Sequence, residues 1–167
     1  MKLTIMDDLE QGSDEWLEAR RGMLTASIIG QLITPKTIRP ASNPVARALV
    51  MKLAAERLSG YVDSVFVSND MVRGTLEEPI ARDLYSEHYA PVTQTGFMVL
   101  EEFGCKLGYS PDGLVGDDGL IEIKSRRPKK HLQTILNDEV PPENMAQCQT
   151  GLYVSGREWI DYVSFCG

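Results

Sequence analysis

The stretch Ser110-Pro111-Asp112-Gly113-Leu114-Val115-Gly116-Asp117-Asp118-Gly119-Leu120-Ile121-Glu122-Ile123-Lys124 decides how this chain is read. Side chains alternate along a strand, so within Leu120 to Lys124 the Glu122 and Lys124 side chains share one face, while Ile121 and Ile123 share the other. Asp117-Asp118-Gly119 has the composition of a tight turn, which folds this strand back on Leu114-Val115 and carries Glu122 toward Asp112. Two carboxylates and an ammonium then converge. Hard cations such as Mg²⁺ take oxygen ligands, commonly one or two carboxylates with water and phosphate completing the shell. An ion held there makes its bound water easier to deprotonate and stabilises the charge of an in-line displacement. A lysine alongside orients that water or offsets charge on the phosphate. The residues outline a site for phosphodiester hydrolysis. Each part also has a plainer reading: Ser-Pro-Asp-Gly as a type I turn, and Ile-Glu-Ile-Lys as an amphipathic strand with a solvent face. Their combination at short spacing favours the chemical reading.

Working outward, the strand pattern covers Val92 to Leu100, Cys105 to Tyr109, Leu114-Val115, Leu120 to Lys124 and Glu158 to Phe165, with glycine-containing turns between the central members. Helices are expected before and after. Ser13 is an N-cap with Asp14 and Glu15 in the first turn, and Gly22 ends that helix. A second helix spans Ala26 to Ile33, and Thr34 to Asn43, with Pro35 and Pro40, is a loop. Asn43-Pro44 caps a helix that runs to Gly60. Between Asn69 and Tyr89, Met71, Ile80, Leu84 and Tyr85 recur at helical spacing, with a kink rather than a break expected at Pro79. Further helices lie near Lys129 to Leu136 and Glu143 to Val154. This order gives an α/β fold with a mixed central β-sheet flanked by α-helices, read as one domain over residues 1–167.

Composition narrows the chemistry. The chain has 167 residues, 43% hydrophobic and 25% charged, enough for one domain with a core. It shows no apolar run long enough to span a bilayer and no secretion-like start, so no membrane association and a cytoplasmic location are expected. Cys105, Cys148 and Cys166 lack metal-site spacing and are read as buried apolar fillers. His88 and His131 have no ligand pattern around them. Carboxylates remain as the reactive resource. The net charge of -7 argues against a phosphate-binding surface, but a bound cation reverses the local sign. The basic residues are clustered as well, at Arg20-Arg21, at Lys36 to Arg39, and above all from Lys124 to Lys130.

Asp112 with Glu122-Ile123-Lys124 fits the PD-(D/E)xK nuclease pattern, and with its surroundings the chain resembles the phage lambda exonuclease and YqaJ-type viral recombinase family. The likeness covers nearly the whole sequence. It includes Gln11-Gly12-Ser13-Asp14-Glu15-Trp16, Arg20-Arg21-Gly22-Met23-Leu24-Thr25-Ala26-Ser27, Gly74-Thr75-Leu76-Glu77-Glu78-Pro79-Ile80-Ala81-Arg82 and Met145-Ala146-Gln147-Cys148-Gln149. The resemblance implies a restriction-endonuclease-like core and residue roles. Asp112, Glu122 and the Ile123 carbonyl would hold Mg²⁺, with Mn²⁺ as a substitute, and Glu78 would add a carboxylate directly or through water. Gly74, one turn before Glu78, would leave room for approach to the site. Lys124 would be the catalytic lysine, and Gln147 would orient the attacking water or a phosphate oxygen. Arg20, Ser27 and Ser110 would hold a terminal 5′-phosphate, a task suited to an arginine fork and hydroxyls.

The activity implied is hydrolysis of double-stranded DNA ends in the 5′ to 3′ direction during phage-type recombination. A homotrimer ring and a single-strand annealing protein are the implied partners. No Walker-type loop is present, so ATP is not expected to take part. Family members usually continue past the last strand, so the chain is read either as a shortened version or as one lacking a C-terminal tail. Alternative readings are an endonuclease or junction resolvase of the same fold and a non-catalytic DNA-binding accessory module. Asp117-Asp118-Gly119 lacks the spaced ligands of a calcium loop, which disfavours a Ca²⁺-binding module.

Overall fold

A computed structural model describes residues 1–62 and 67–167. The chain order is β1 (Lys2–Met6), α1 (Asp14–Arg20), β2 (Leu24–Thr25), α2 (Ala26–Ile29), a 3₁₀ turn (Gly30–Leu32), α3 (Pro44–Ser59), α4 (Asn69–His88), β3 (Val92–Thr93) and β4 (Phe97–Glu102). It continues with β5 (Cys105–Tyr109), β6 (Gly113–Val115), β7 (Gly119–Ser125), α5 (Pro128–Asn137), α6 (Pro142–Ser155) and β8 (Trp159–Phe165). These elements form two compact units. The first gathers β1, α1, β2, α2, α3, β4, β5 and α6, and the second gathers α4, β3, β6, β7, α5 and β8. The expected mixed α/β architecture is present, with its strands shared between two four-stranded sheets, ordered β1-β4-β5-β2 and β3-β6-β7-β8. Each sheet combines antiparallel and parallel pairs.

In the first unit the local signals act as expected. The Ser13 side chain accepts from the Trp16 N–H at the start of α1, and Asn43 does the same for Ala46 ahead of Pro44, each satisfying an otherwise orphaned donor. Gly60 closes α3 in the left-handed conformation, where glycine carries no Cβ penalty. The second helix is shorter than the pattern suggested: α2 stops at Ile29 and tightens into the 3₁₀ turn. The β1 strand, missed in the sequence, pairs antiparallel with β4. The expected Val92 to Leu100 strand is two strands in different sheets, β3 and β4. At Gly96, between them, the Met6 carbonyl lies only 1.8 Å from where a Cβ would stand, so only glycine fits the close approach that starts the β1-β4 ladder.

The second unit is built around β7, which pairs antiparallel with β6 and parallel with β8. Ile121 and Ile123 join Ala81, Tyr85 and Val115 in its core, with Val92, Trp159, Val163 and Phe165 packed against it. The turn sits one residue earlier than expected: Val115 pairs with Gly119, leaving Gly116, Asp117 and Asp118 as the connection, and Gly116 has φ +54. Gly119 opens β7, paired with Val115 and Trp159, and the Trp159 ring lies 2.1 Å from where a Cβ would stand.

Helix α4 continues unbroken through Pro79. Its inward face matches the apolar spacing only at Tyr85. Met71, Ile80 and Leu84 are exposed, and Ala81 and Tyr85 are buried. The inner side also carries charged residues, whose partners hold the helix to the sheet. Of the cysteines only Cys148 is a buried filler; Cys105 is exposed, Cys166 is intermediate, and none of the three is in a disulfide. Among the described residues, no helix is long and apolar enough to cross a membrane.

Candidate active site

Within the second unit, Asp112, Glu122, Lys124 and Glu78 come together as charged groups in each other's field. The β6-β7 register pairs Gly113 with Ile121, which sets Asp112 level with the start of the Glu122-Ile123 segment. Asp112 is 9% exposed, and its Oδ2 accepts from the Ile123 N–H at 2.7 Å. Glu122 is fully buried. The face carrying Glu122 is therefore not a solvent face, and the plain amphipathic-strand reading fails. Lys124 donates to Glu122 Oε1, making a buried ion pair.

Glu78 is not part of a surface ion pair. Its partner Arg82 is 13% exposed and Glu78 itself 23%. Arg82 Nη2 donates to Glu78 Oε1, and Arg82 Nε donates to the Asp112 main-chain oxygen at 2.6 Å. Gly74, expected to leave room near the acids, faces open space, with no heavy atom within 4 Å of an added Cβ.

Burial pushes all three carboxylates up, and neighbouring acid charges add to it for Glu78 and Glu122. Desolvation is the largest cause for Glu122, followed by the Asp112 charge, and together they overcome Lys124 and raise it to about 8. Desolvation also raises Asp112, against Lys124, the Ile123 N–H and Arg82. Glu78 rises by desolvation and the Asp112 charge, against Arg82 and Lys124. For Lys124 burial works against the charge, yet Glu122 and Asp112 outweigh it and the ammonium is held more firmly. Acids crowded this way gain from a cation. Among the described residues no three His, Cys, Asp or Glu side chains form a ready-made cage. The donors fit an ion that accepts one or two carboxylates and keeps several waters, as Mg²⁺ does. Asp112, Glu122 and the Ile123 carbonyl are the oxygens that would hold it.

A separate cluster forms in the first unit. The Arg20 guanidinium stacks on the Trp16 ring, 3.8 Å from its centroid. Its Nη2 donates to Ser27 Oγ and to Thr25 Oγ1, each at 3.3 Å. Ser110 Oγ accepts from Trp16 Nε1 at 2.9 Å, so Ser110 joins the cluster through the indole. Trp16 and Thr25 were not assigned site roles in the sequence. Only Trp16's place in a matching motif could have singled it out. Thr25, not Ser27, is the N-cap of α2. Arg20 has no ion pair with a carboxylate among the described residues, and burial lowers its pKa to about 10. It stays cationic at neutral pH. The connection between α1 and β2 is clamped from α3. Glu56 accepts from the Gly22 N–H at 2.8 Å, and Arg57 Nε donates to the Gly22 carbonyl at 2.5 Å.

Gln147 lies partly buried on α6, in the first unit. The basic run after β7 is largely engaged: Arg126 donates to the Tyr162 hydroxyl at 2.6 Å, and Arg127 pairs with Asp70 at 2.9 Å. Lys129 and Lys130 are exposed.

Comparison with known proteins gives the family and the fold. Residues 15–158 match the model of the YqaJ-like viral recombinase domain. The alkaline exonuclease LHK-Exo from Laribacter hongkongensis is 35% identical over 92% of this chain and 74% of its own, with a TM-score of 0.80. The same enzyme in complex with dAMP gives 0.78 at the same identity and coverage. A phage-related exonuclease from Haemophilus somnus 129PT shares the fold at 17% identity and a TM-score of 0.58, over 86% of this chain and 68% of its own. No curated protein matches. The fold is the restriction-endonuclease-like α/β fold, and the chain belongs to the YqaJ-like viral recombinase domain family.

Proposed function

We propose that the chain is a Mg²⁺-dependent deoxyribonuclease that removes nucleotides from 5′-phosphorylated ends of double-stranded DNA in the 5′ to 3′ direction, in phage-type recombination. The observation that carries the reading is the buried Asp112-Glu122-Lys124 group, where acids crowd together against one lysine. Similarity to an alkaline exonuclease at 35% identity supports it. The ion would supply a more acidic water and neutralise charge on the phosphate. Asp112 and Glu122 supply its oxygens together with the Ile123 carbonyl, and Glu78 adds a carboxylate directly or through water. Lys124 holds its ammonium beside Glu122, where it orients the water and offsets phosphate charge. Gln147 is assigned to the water or a phosphate oxygen. Arg20, Ser27 and Ser110 hold the 5′-phosphate, with the Arg20 fork as the charged donor. Work inside the cell as a single-domain protomer of a homotrimer, without ATP and beside a single-strand annealing protein, belongs to the same reading.

The test is digestion of linear duplex labelled at the 5′ or the 3′ terminus, in Mg²⁺, by the parent and by Asp112→Asn. The expected result is early release of 5′ label by the parent, with no digestion by the variant or in chelator. Cutting of covalently closed circles by the parent would point instead to an endonuclease. Unchanged digestion by Asp112→Asn would remove the site assignment.

A further inference from the structure

We infer that Arg82 is a positioning residue for the carboxylate centre, a side chain that fixes Glu78 and Asp112 relative to each other. The inference rests on the metal-site reading above and adds a residue to it.

Glu78 and Arg82 are four apart on α4, the spacing at which helical side chains meet. A pair of this kind on a surface contributes little. This one is mostly buried, and the guanidinium has a second task. While Nη2 bonds the Glu78 carboxylate, Nε bonds the main-chain oxygen of Asp112 at 2.6 Å. One rigid planar group thereby spans a helix and the residue just before β6. The Asp112 carboxylate is set from its other side by the Ile123 N–H. Asp112 is thus held at both its main chain and its side chain. Its carbonyl is fixed by α4 and its carboxylate by β7.

Lysine cannot reproduce this. Its three donors radiate from a single nitrogen on a flexible stem, whereas arginine's Nε and Nη2 donors are held apart in a rigid planar fork that matches two differently placed acceptors. Arg82→Lys retains the positive charge and removes the fork. Partners that orient ligand side chains typically govern metal affinity by about 10- to 100-fold. Arg82→Gln supplies a sharper contrast. If Arg82 acted only as a charge, its removal would strengthen cation binding at an acidic centre. If it acts by position, binding weakens despite the lost repulsion.

The experiment is calorimetric titration of Mn²⁺ and Mg²⁺ into the full chain, DNA-free, for the parent, Arg82→Lys, Arg82→Gln and Asp112→Asn. Metal-free melting identifies a temperature at which every variant is folded. Binding about 10- to 100-fold weaker in both Arg82 variants, with kcat reduced and KM for DNA little changed, is the expected result. Parent-like affinity in Arg82→Lys, or tighter binding in Arg82→Gln, overturns the proposal while leaving the metal site intact. Equal binding by the parent and Asp112→Asn overturns the metal reading itself, and this inference with it.

Discussion

The two polar clusters solve opposite electrostatic problems. Around Asp112 the second unit crowds acids into a buried space and answers them with Lys124 and Arg82. Around Arg20 the first unit sets a cation on an aromatic face with hydroxyls at its tip and, among the described residues, no carboxylate in an ion pair with it. Burial strains both groups, lifting Glu122 and lowering Arg20. The first arrangement gains from a cation and the second from an anion. A nuclease that works from a phosphorylated end needs both, one for hydrolysis and one for recognition. The comparison teaches that the residue types in each cluster follow from the charge of what each is proposed to hold.

The largest expected effect separates the two tasks. Lys124→Ala lowers the rate of hydrolysis by about 10²- to 10⁴-fold, the range typical of a positioned proton-transfer or water-orienting group. It leaves the preference for phosphorylated over unphosphorylated ends unchanged, as single-turnover rates on the two substrates will show. Arg20→Ala does the reverse. A hydrogen bond to a charged group is worth about 1.5–3 kcal/mol, so the preference falls roughly 10- to 100-fold, while the rate on unphosphorylated ends is retained.

The acidic centre also predicts a pH dependence. Its carboxylates have folded-state pKa values raised above their unfolded values, so both states are protonated below about pH 4 and no cost arises there. As pH rises from the ordinary carboxylate range through the Glu122 value of about 8, the unfolded chain releases its proton first and metal-free stability falls. Thermal melts in chelator will therefore show a decline across that window, and added divalent cation will restore more stability at pH 8 than at pH 5. Glu122→Gln will raise the metal-free midpoint at pH 8 by several degrees and flatten the decline. The smallest effect concerns the clamp on the phosphate-type cluster. Glu56→Ala leaves the buried Gly22 N–H without its acceptor and costs about 1–3 kcal/mol, read by denaturant melts. Because Gly22 lies between Arg20 and Thr25, the end preference will weaken alongside.

Legibility in the sequence followed the range of the forces involved. Local signals translated directly: the caps at Ser13 and Asn43, the left-handed Gly60, and the alternation that separates Glu122 and Lys124 from the isoleucines. Pairing was less readable. The two-residue β2 has no pattern to detect, and the division at Gly96 depends on the approach of Met6, far away in the chain. Apolar spacing marks only part of the inner face of α4, since of its four positions Tyr85 alone is buried. In fact Arg73, Glu77, Glu78 and Arg82 bond inward: Arg73 donates to Ser125 at 2.8 Å, Ser125 donates to Glu77 at 2.6 Å, and Arg82 holds Asp112. Family likeness pointed to Arg20, Ser27 and Ser110, but the Trp16 ring that ties Arg20 to Ser110 emerges only in three dimensions.

The division of labour is tested most directly on one duplex carrying a 5′-phosphate at one end and a 5′-hydroxyl at the other, digested in Mg²⁺ under single-turnover conditions. Release from each end would be followed for the parent, Lys124→Ala and Arg20→Ala. The account predicts that Lys124→Ala slows both ends by the same factor, and that Arg20→Ala slows only the phosphorylated end until the two rates converge. Equal loss at both ends in Arg20→Ala, or a changed preference without loss of rate in Lys124→Ala, would contradict it.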